Sequence, residues 1–305
     1  MRKSLFTLVF AITVCLSGYS QYNIDYGFSV GAANYLGDIC GGEGVGKGFV
    51  SDMKLNATRW NLGGFFRYKI ANKFALKASL GYVRLTADDA NTPNPARRGR
   101  NLNFKNDMIE LLGTMEYYIY KANDVGGSGR YNTDFNLYLF GGIGAFYSNP
   151  KGQNSITGEW VSLKPLATEG ASYSSINLAV PVGIGFYYTL QRKYRLGLEL
   201  GWRHTFTDYI DDVSGEYISD FDGISNKSDE DFINSITHID GQNQPTVDTY
   251  GPGKKRGNPD NNDSYMTATV NFSWAIRGKS KFYKSRHSWV LGKKKRRRRK
   301  SRAKF

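Results

Sequence analysis

The chain is poor in long apolar runs, in histidine and in cysteine, and each shortage removes a class of protein. Past the first twenty residues no segment approaches the roughly 20 consecutive apolar residues of a membrane-spanning helix, so a helical membrane protein is excluded. Two cysteines in 305 residues cannot build a disulfide scaffold. The three histidines, His204, His238 and His287, form no zinc-binding His-x-x-x-His pair, and nothing in the sequence implies a metal or a cofactor. Excess positive charge is missing too, except at one end. Fourteen of the 41 Lys and Arg lie from Lys279 onward, where there is no acid, and the other 27 balance 27 acids.

The first twenty residues read as a secretory leader. Arg2 and Lys3 supply the positive end, residues 5 to 16 the apolar core, and Gly18, Tyr19 and Ser20 a small-x-small cleavage site that leaves Gln21 first. Val14 is too large for the small residue that precedes a lipidated cysteine, so Cys15 goes with the leader. Cys40 is then alone in an oxidising compartment, which points to an intermolecular disulfide or a free thiol. Export also excludes nucleic acid as the partner of the basic end.

Eight stretches of the mature chain alternate apolar and polar side chains at period two. The first sets Ile24, Tyr26, Phe28 and Val30 against Asp25, Gly27, Ser29 and Gly31; the second sets Leu62, Phe66 and Tyr68 against Asn61, Gly63, Arg67 and Lys69. The third follows at Phe74–Tyr82, the fourth at Ile109–Ile119, the fifth at Asn136–Tyr147 and the sixth at Leu178–Phe186. The seventh and eighth span Leu196–Arg203 and Met266–Trp274. The fifth is apolar or glycine on both faces, and Pro181 predicts a local irregularity in the sixth. Connections alternate long and short. Those at 71–73, 122–134 and 190–193 are predicted periplasmic, and those at 39–55, 88–103, 149–175 and 209–262 extracellular.

The expected fold is therefore all-β, an eight-stranded antiparallel up-and-down transmembrane β-barrel in outer-membrane lipid, with both barrel ends periplasmic. Its units are a signal peptide over 1–20, a barrel over 21–278 and a basic periplasmic extension over 279–305. An eight-stranded barrel has an interior that side chains fill, so it is expected to be a plug and not a pore. The inward charges Arg67, Lys69, Lys77, Glu110, Glu116, Glu199 and Arg203 are of both signs and predict a paired network in the lumen.

The basic run Lys293, Lys294, Lys295, Arg296, Arg297, Arg298, Arg299 and Lys300 repels itself and is suited to engage an acidic protein, a phosphorylated lipid or wall polymer. The loop after the seventh strand is acidic, with Asp211, Asp212, Glu216, Asp220 and Asp222 among others, but lacks the spacing of a calcium hand loop. Chemistry is thin. His204 near Asp208, Asp211 and Asp212 is the one arrangement suggesting a rim hydrolase, and no small-molecule substrate is implied.

Four strings carry more than the barrel pattern: Asn34-Tyr35-Leu36-Gly37-Asp38, Trp60-Asn61-Leu62-Gly63, Thr207-Asp208-Tyr209-Ile210-Asp211-Asp212-Val213-Ser214-Gly215 and Arg256-Gly257-Asn258-Pro259. With these the chain resembles the PorG family, barrel components of the type IX secretion and gliding-motility apparatus of Bacteroidota. The most specific part is the loop containing Thr207, Asp208, Tyr209, Asp211, Asp212 and Ser214. The resemblance implies a non-enzymatic outer-membrane protein that contacts a periplasmic ring of the PorK and PorN type and other type IX components. A stand-alone OmpA-like barrel for envelope integrity or adhesion remains the alternative, and a barrel hydrolase the third.

Overall fold

The computed structural model describes residues 24–39, 53–127, 133–154, 158–217 and 253–276. Residues 1–20, expected to be a leader, Cys40 and the basic run over 293–300 lie outside the described residues. Among the described residues ten strands run in chain order: β1 (Ile24–Leu36), β2 (Arg59–Lys69), β3 (Phe74–Asp88), β4 (Asn103–Ala122), β5 (Thr133–Tyr147), β6 (Pro150–Gln153), β7 (Trp160–Ser162), β8 (Ile176–Leu190), β9 (Tyr194–Thr205) and β10 (Ser264–Ile276). One short helix, α1 (Pro95–Arg100), lies between β3 and β4. Eight strands pair antiparallel in a closed ring, β1-β2-β3-β4-β5-β8-β9-β10, with β10 returning to β1. Closure matches Ile24 with Ile276 and Leu36 with Ser264, so no edge is left in the ring. The short β6 and β7 extend β4 above the ring.

The period-two pattern decides which residues face out. Phe28, Leu62, Leu80, Leu111, Ile143, Leu178 and Leu198 are exposed on the wall, while Asp25, Arg67, Lys77, Glu116 and Glu199 are buried inside. This arrangement is inverted relative to a water-soluble barrel and fits a hydrocarbon surround. Strand β5, undecided from its residues, turns Tyr138 and Phe140 inward and Leu139 and Ile143 outward. The neighbouring glycines supply the reason. A Cβ at Gly185 would lie 2.6 Å from the Tyr138 ring and one at Gly183 2.5 Å from Phe140, so the inward rings occupy space that β8 leaves open.

The irregularity expected at Pro181 is present, and a second one lies elsewhere. Pro181 interrupts pairing with β5, which skips from Gly141–Val182 to Gly144–Ala179, but the register is unchanged and the β9 side pairs through it. A register shift, which the sequence did not announce, lies in β4 between Tyr118 and Tyr120 against β5. Strands β3 and β4 also run well past the apolar repeat, to Asp88 and from Asn103. Above Tyr82 the alternation reverses: Val83, Leu85, Ala87, Phe104 and Met108 are buried, with Arg84, Lys105 and Asp107 half-buried on the outer face. The wall has left the apolar surround there, so the hydrophobic side turns in. These residues join Tyr35, Ile39, Phe146, Ile210, Val213 and Tyr265 in the main hydrophobic cluster, above the lumen and beneath the long loops.

Candidate functional site

The lumen holds a stacked column of ion pairs. Nearest the short turns, Arg67 binds Asp25 at 3.0 Å and Glu116 at 2.9 Å, and Arg195 donates to the other Asp25 oxygen. Ser273 adds a hydrogen bond to Asp25 at 3.1 Å, and the Tyr118 hydroxyl donates to Glu116 at 2.9 Å. Above them Lys77 donates to Glu199 at 2.6 Å, and the Tyr138 hydroxyl donates to the same oxygen at 2.9 Å. Highest, Arg203 approaches Glu110 at 3.7 Å while the Tyr265 hydroxyl donates to Glu110 at 2.8 Å. Four carboxylates thus meet four cations, leaving the column neutral. Burial of so many charges is tolerable only because each is paired. Asp25 and Arg195 were not among the charges expected there. Both share parity with inward neighbours, Arg195 with Gly197, Glu199 and Arg203, so the alternation itself carried the signal.

Lys69 stands apart from this column. It lies against Lys121, and both ammonium groups approach the Tyr118 ring, at 5.2 and 4.6 Å from its centroid. They line a cavity of about 740 Å³ at the short-turn end, together with Asn136, Tyr187, Thr189 and Arg195.

At the opposite end the loops form a cap, and three of the four distinctive strings meet in it. In the loop after β9, Ile210 and Val213 are fully buried in the hydrophobic cluster. The flanking acids face loop groups: Asp212 accepts from Thr168 and Tyr173, both at 2.5 Å, and from Arg256 at 3.3 Å. Asp211 accepts from the Val213 and Ile39 amides at 2.9 and 3.3 Å. Arg256 also pairs with Glu169 at 3.0 Å, and Glu169 in turn accepts from the Ser214 and Gly215 amides at 2.9 Å. The first string contributes Asp38, which accepts from the Asn258 amide at 2.6 Å. It also contributes Tyr35, which donates to Asp263 at 2.5 Å. Arg100, at the end of α1, closes the set by pairing with Asp89 at 2.7 Å and donating to the carbonyls of Asp38 and Arg256. A Cβ at Gly257 would lie 2.5 Å from both Asp38 and the Ser214 carbonyl, so only glycine fits that approach.

The cap acids are strongly perturbed. Burial lifts the Asp208 carboxyl to about 8, assisted by Asp211 and Asp38. Burial also pushes Asp211 and Asp263 upward, each further raised by neighbouring carboxylates. Desolvation makes the charged form costly where no cation is adjacent. Among the described residues no group of three or more His, Cys, Asp or Glu could hold a metal ion.

Other expected site residues are scattered. His204 sits on the outward parity of β9 between Trp202 and Phe206, with ring centroids at 5.6 and 5.7 Å, whereas Asp208 is buried in the cap. The two therefore do not form an acid–base pair. The Trp60-Asn61-Leu62-Gly63 string is also separate: Trp60 stacks on Tyr82 at 4.9 Å with Arg84 at 5.4 Å, on the outer wall. Glu169, Asp89 and Asp263 were missed because they lie in loops, where no periodicity marks a side chain as buried.

A family profile described as "Domain of unknown function (DUF6089)" matches residues 3–226. No curated protein matches the chain. Among solved structures, the N-terminal β-barrel domain of Pseudomonas aeruginosa OprF is similar at 9% identity, covering 84% of this chain and 100% of that one, with a TM-score of 0.35. Neisserial surface protein A is similar at 8% identity over 85% and 100% of the two chains, with a TM-score of 0.36. The attachment invasion locus protein Ail of Yersinia pestis is similar at 8% identity over 83% and 99%, with a TM-score of 0.35.

Proposed function

Because the chain belongs to the DUF6089 family and is a closed barrel with a filled, charge-paired lumen, we propose that it is a non-enzymatic fixture of the outer membrane. Its role in this reading is a component of the type IX protein secretion and gliding machinery, contacting a periplasmic ring of the PorK and PorN type. The observation that carries a membrane role is the continuous apolar wall, since a water-soluble barrel would not leave residues such as Leu80, Leu111, Ile143 and Leu178 all more than half exposed. A column of four carboxylates and four cations in the lumen argues for a structural part over a conduit. The type IX assignment rests on the four strings, three of which build one buried node and thereby account for their joint occurrence. In this reading residues 1–20 direct export, and the tail over 279–305 emerges beside Ile276, at the end where the short turns lie.

Cross-linking intact membranes and capturing the barrel, followed by protein identification, tests the assignment. Recovery of ring lipoproteins in wild-type membranes, reduced on deleting 279–305, is the expected result. Capture of a correctly inserted barrel with no ring protein would overturn it. That outcome would favour the second reading, an OmpA-like or Ail-like envelope barrel, which the densely bonded cap also suits. If Cys40 bridges a partner, non-reducing gels change on Cys40→Ser.

A further inference from the structure

We propose that the cavity at the short-turn end of the barrel binds the carboxylates of an acidic peptide segment supplied by another protein. The site centres on Lys69 and Lys121. Their ammonium groups are held next to each other against one ring, Tyr118, and neither forms an ion pair among the described residues. Two like charges packed together in a partly enclosed space repel, and an anion placed between them removes that repulsion. The column immediately above cannot supply it, because its four carboxylates are already matched by Arg67, Arg195, Lys77 and Arg203.

Among the described residues the acids at this end are Asp124, on the turn after β4 and outside the cavity lining, and Asp134. Asp134 is the one carboxylate in the lining and accepts from the Asp124 amide at 3.3 Å. The sequences that leave this end, 1–23, 128–132 and 277–305, contain no Asp or Glu. The anion therefore comes from a different molecule. Lys69, Asn136, Thr189 and Arg195 all occupy inward-facing positions, so the ligand enters through the aqueous mouth and not from the lipid side of the wall. A volume of about 740 Å³ accommodates several side chains, which favours a peptide segment over a lone ion. Asn136 and Thr189, both buried, offer neutral donors beside the cations. Placing this mouth in the periplasm rests on the functional reading above; the charge arrangement does not.

The test is residue-specific acetylation of the full chain in detergent micelles, read by mass spectrometry with and without a hexaglutamate peptide. Lys69 and Lys121 should be protected, with the protection lost as salt rises. Because the readout is at those two residues, peptide bound to the basic tail does not register. With acetylation of Lys73, which lines the same cavity, as the readout, K69Q/K121Q should need about tenfold or more peptide for protection, as expected for losing charged hydrogen bonds, while K69R/K121R should behave as wild type. Unchanged labelling of both lysines at saturating peptide would overturn the proposal. So would protection by inorganic phosphate or phosphatidylglycerol vesicles but not by hexaglutamate. Protection without any ring protein in membrane capture would leave this site standing and the type IX reading refuted.

Discussion

Replacing Arg67 with Met takes one cation out of the lumen column while keeping a side chain of similar reach. Arg67 is 2% exposed, and the carboxylates it serves, Asp25 and Glu116, are fully buried. Asp25 retains Arg195 and Ser273 after the change, but Glu116 is left with only the Tyr118 hydroxyl. Removing one partner of a buried pair costs about 3–5 kcal/mol, because the orphaned charge stays desolvated. That corresponds to roughly two to four powers of ten in the folding equilibrium. The loss is centred on Glu116, so Arg67→Met/Glu116→Gln should recover part of it, with a coupling of about 1–3 kcal/mol. Urea titration of the barrel folded into lipid vesicles, followed by tryptophan emission, measures each variant. A loss under about 1 kcal/mol with no coupling would mean that water reaches Glu116, and the picture of a dry, paired column would be wrong.

Two further outcomes check the wall and the cap. Leu200→Arg places a cation on the outer wall of β9 and should cost about 2–4 kcal/mol in vesicles if that position lies near the bilayer midplane. Equal stability of this variant and wild type in vesicles would show that no hydrocarbon contacts the position. In the cap, Asp208 is lifted by burial to about 8, against about 4 for an unfolded aspartate. Between those values the folded cap holds a proton that the unfolded loop releases, so cap stability falls as pH rises from about 4 to about 8. Protease cleavage of the cap loops, corrected for enzyme activity, should be faster at pH 8.5 than at pH 5.5, and Asp208→Asn should narrow the difference. An unchanged difference in that variant would remove Asp208 from the account.

The barrel was legible because its wall has a single rule repeated eight times. Strand β1 alternates between lipid and lumen over Ile24–Val30, and the gaps show which strands neighbour each other. Where the rule changed, the reading stopped early. β3 and β4 continue beyond Tyr82 and start before Ile109, with the apolar side now turned in because the outer face meets water. The alternation persists there with the opposite sense, which a search for outward apolar residues passes over. Pro181 is a related case: its missing donor is absorbed by leaving pairs unmade, and neighbouring strands hold the register.

The sequence by itself determined the ring of eight strands, the order of its neighbours and the inward direction of Arg67, Lys77, Glu110, Glu116, Glu199 and Arg203, because backbone pairing and period-two geometry act locally. Which charge meets which was decided only by the closed cylinder, since partners such as Lys77 and Glu199 sit on strands 122 residues apart and on opposite sides of the lumen. The same holds for the cap, where Asp38, Asp212, Glu169 and Arg256 come from separate loops with no periodicity to announce their burial. It holds as well for Lys69 and Lys121, which form no ion pair among the described residues while the carboxylates of the column are engaged with Arg67, Arg195, Lys77 and Arg203.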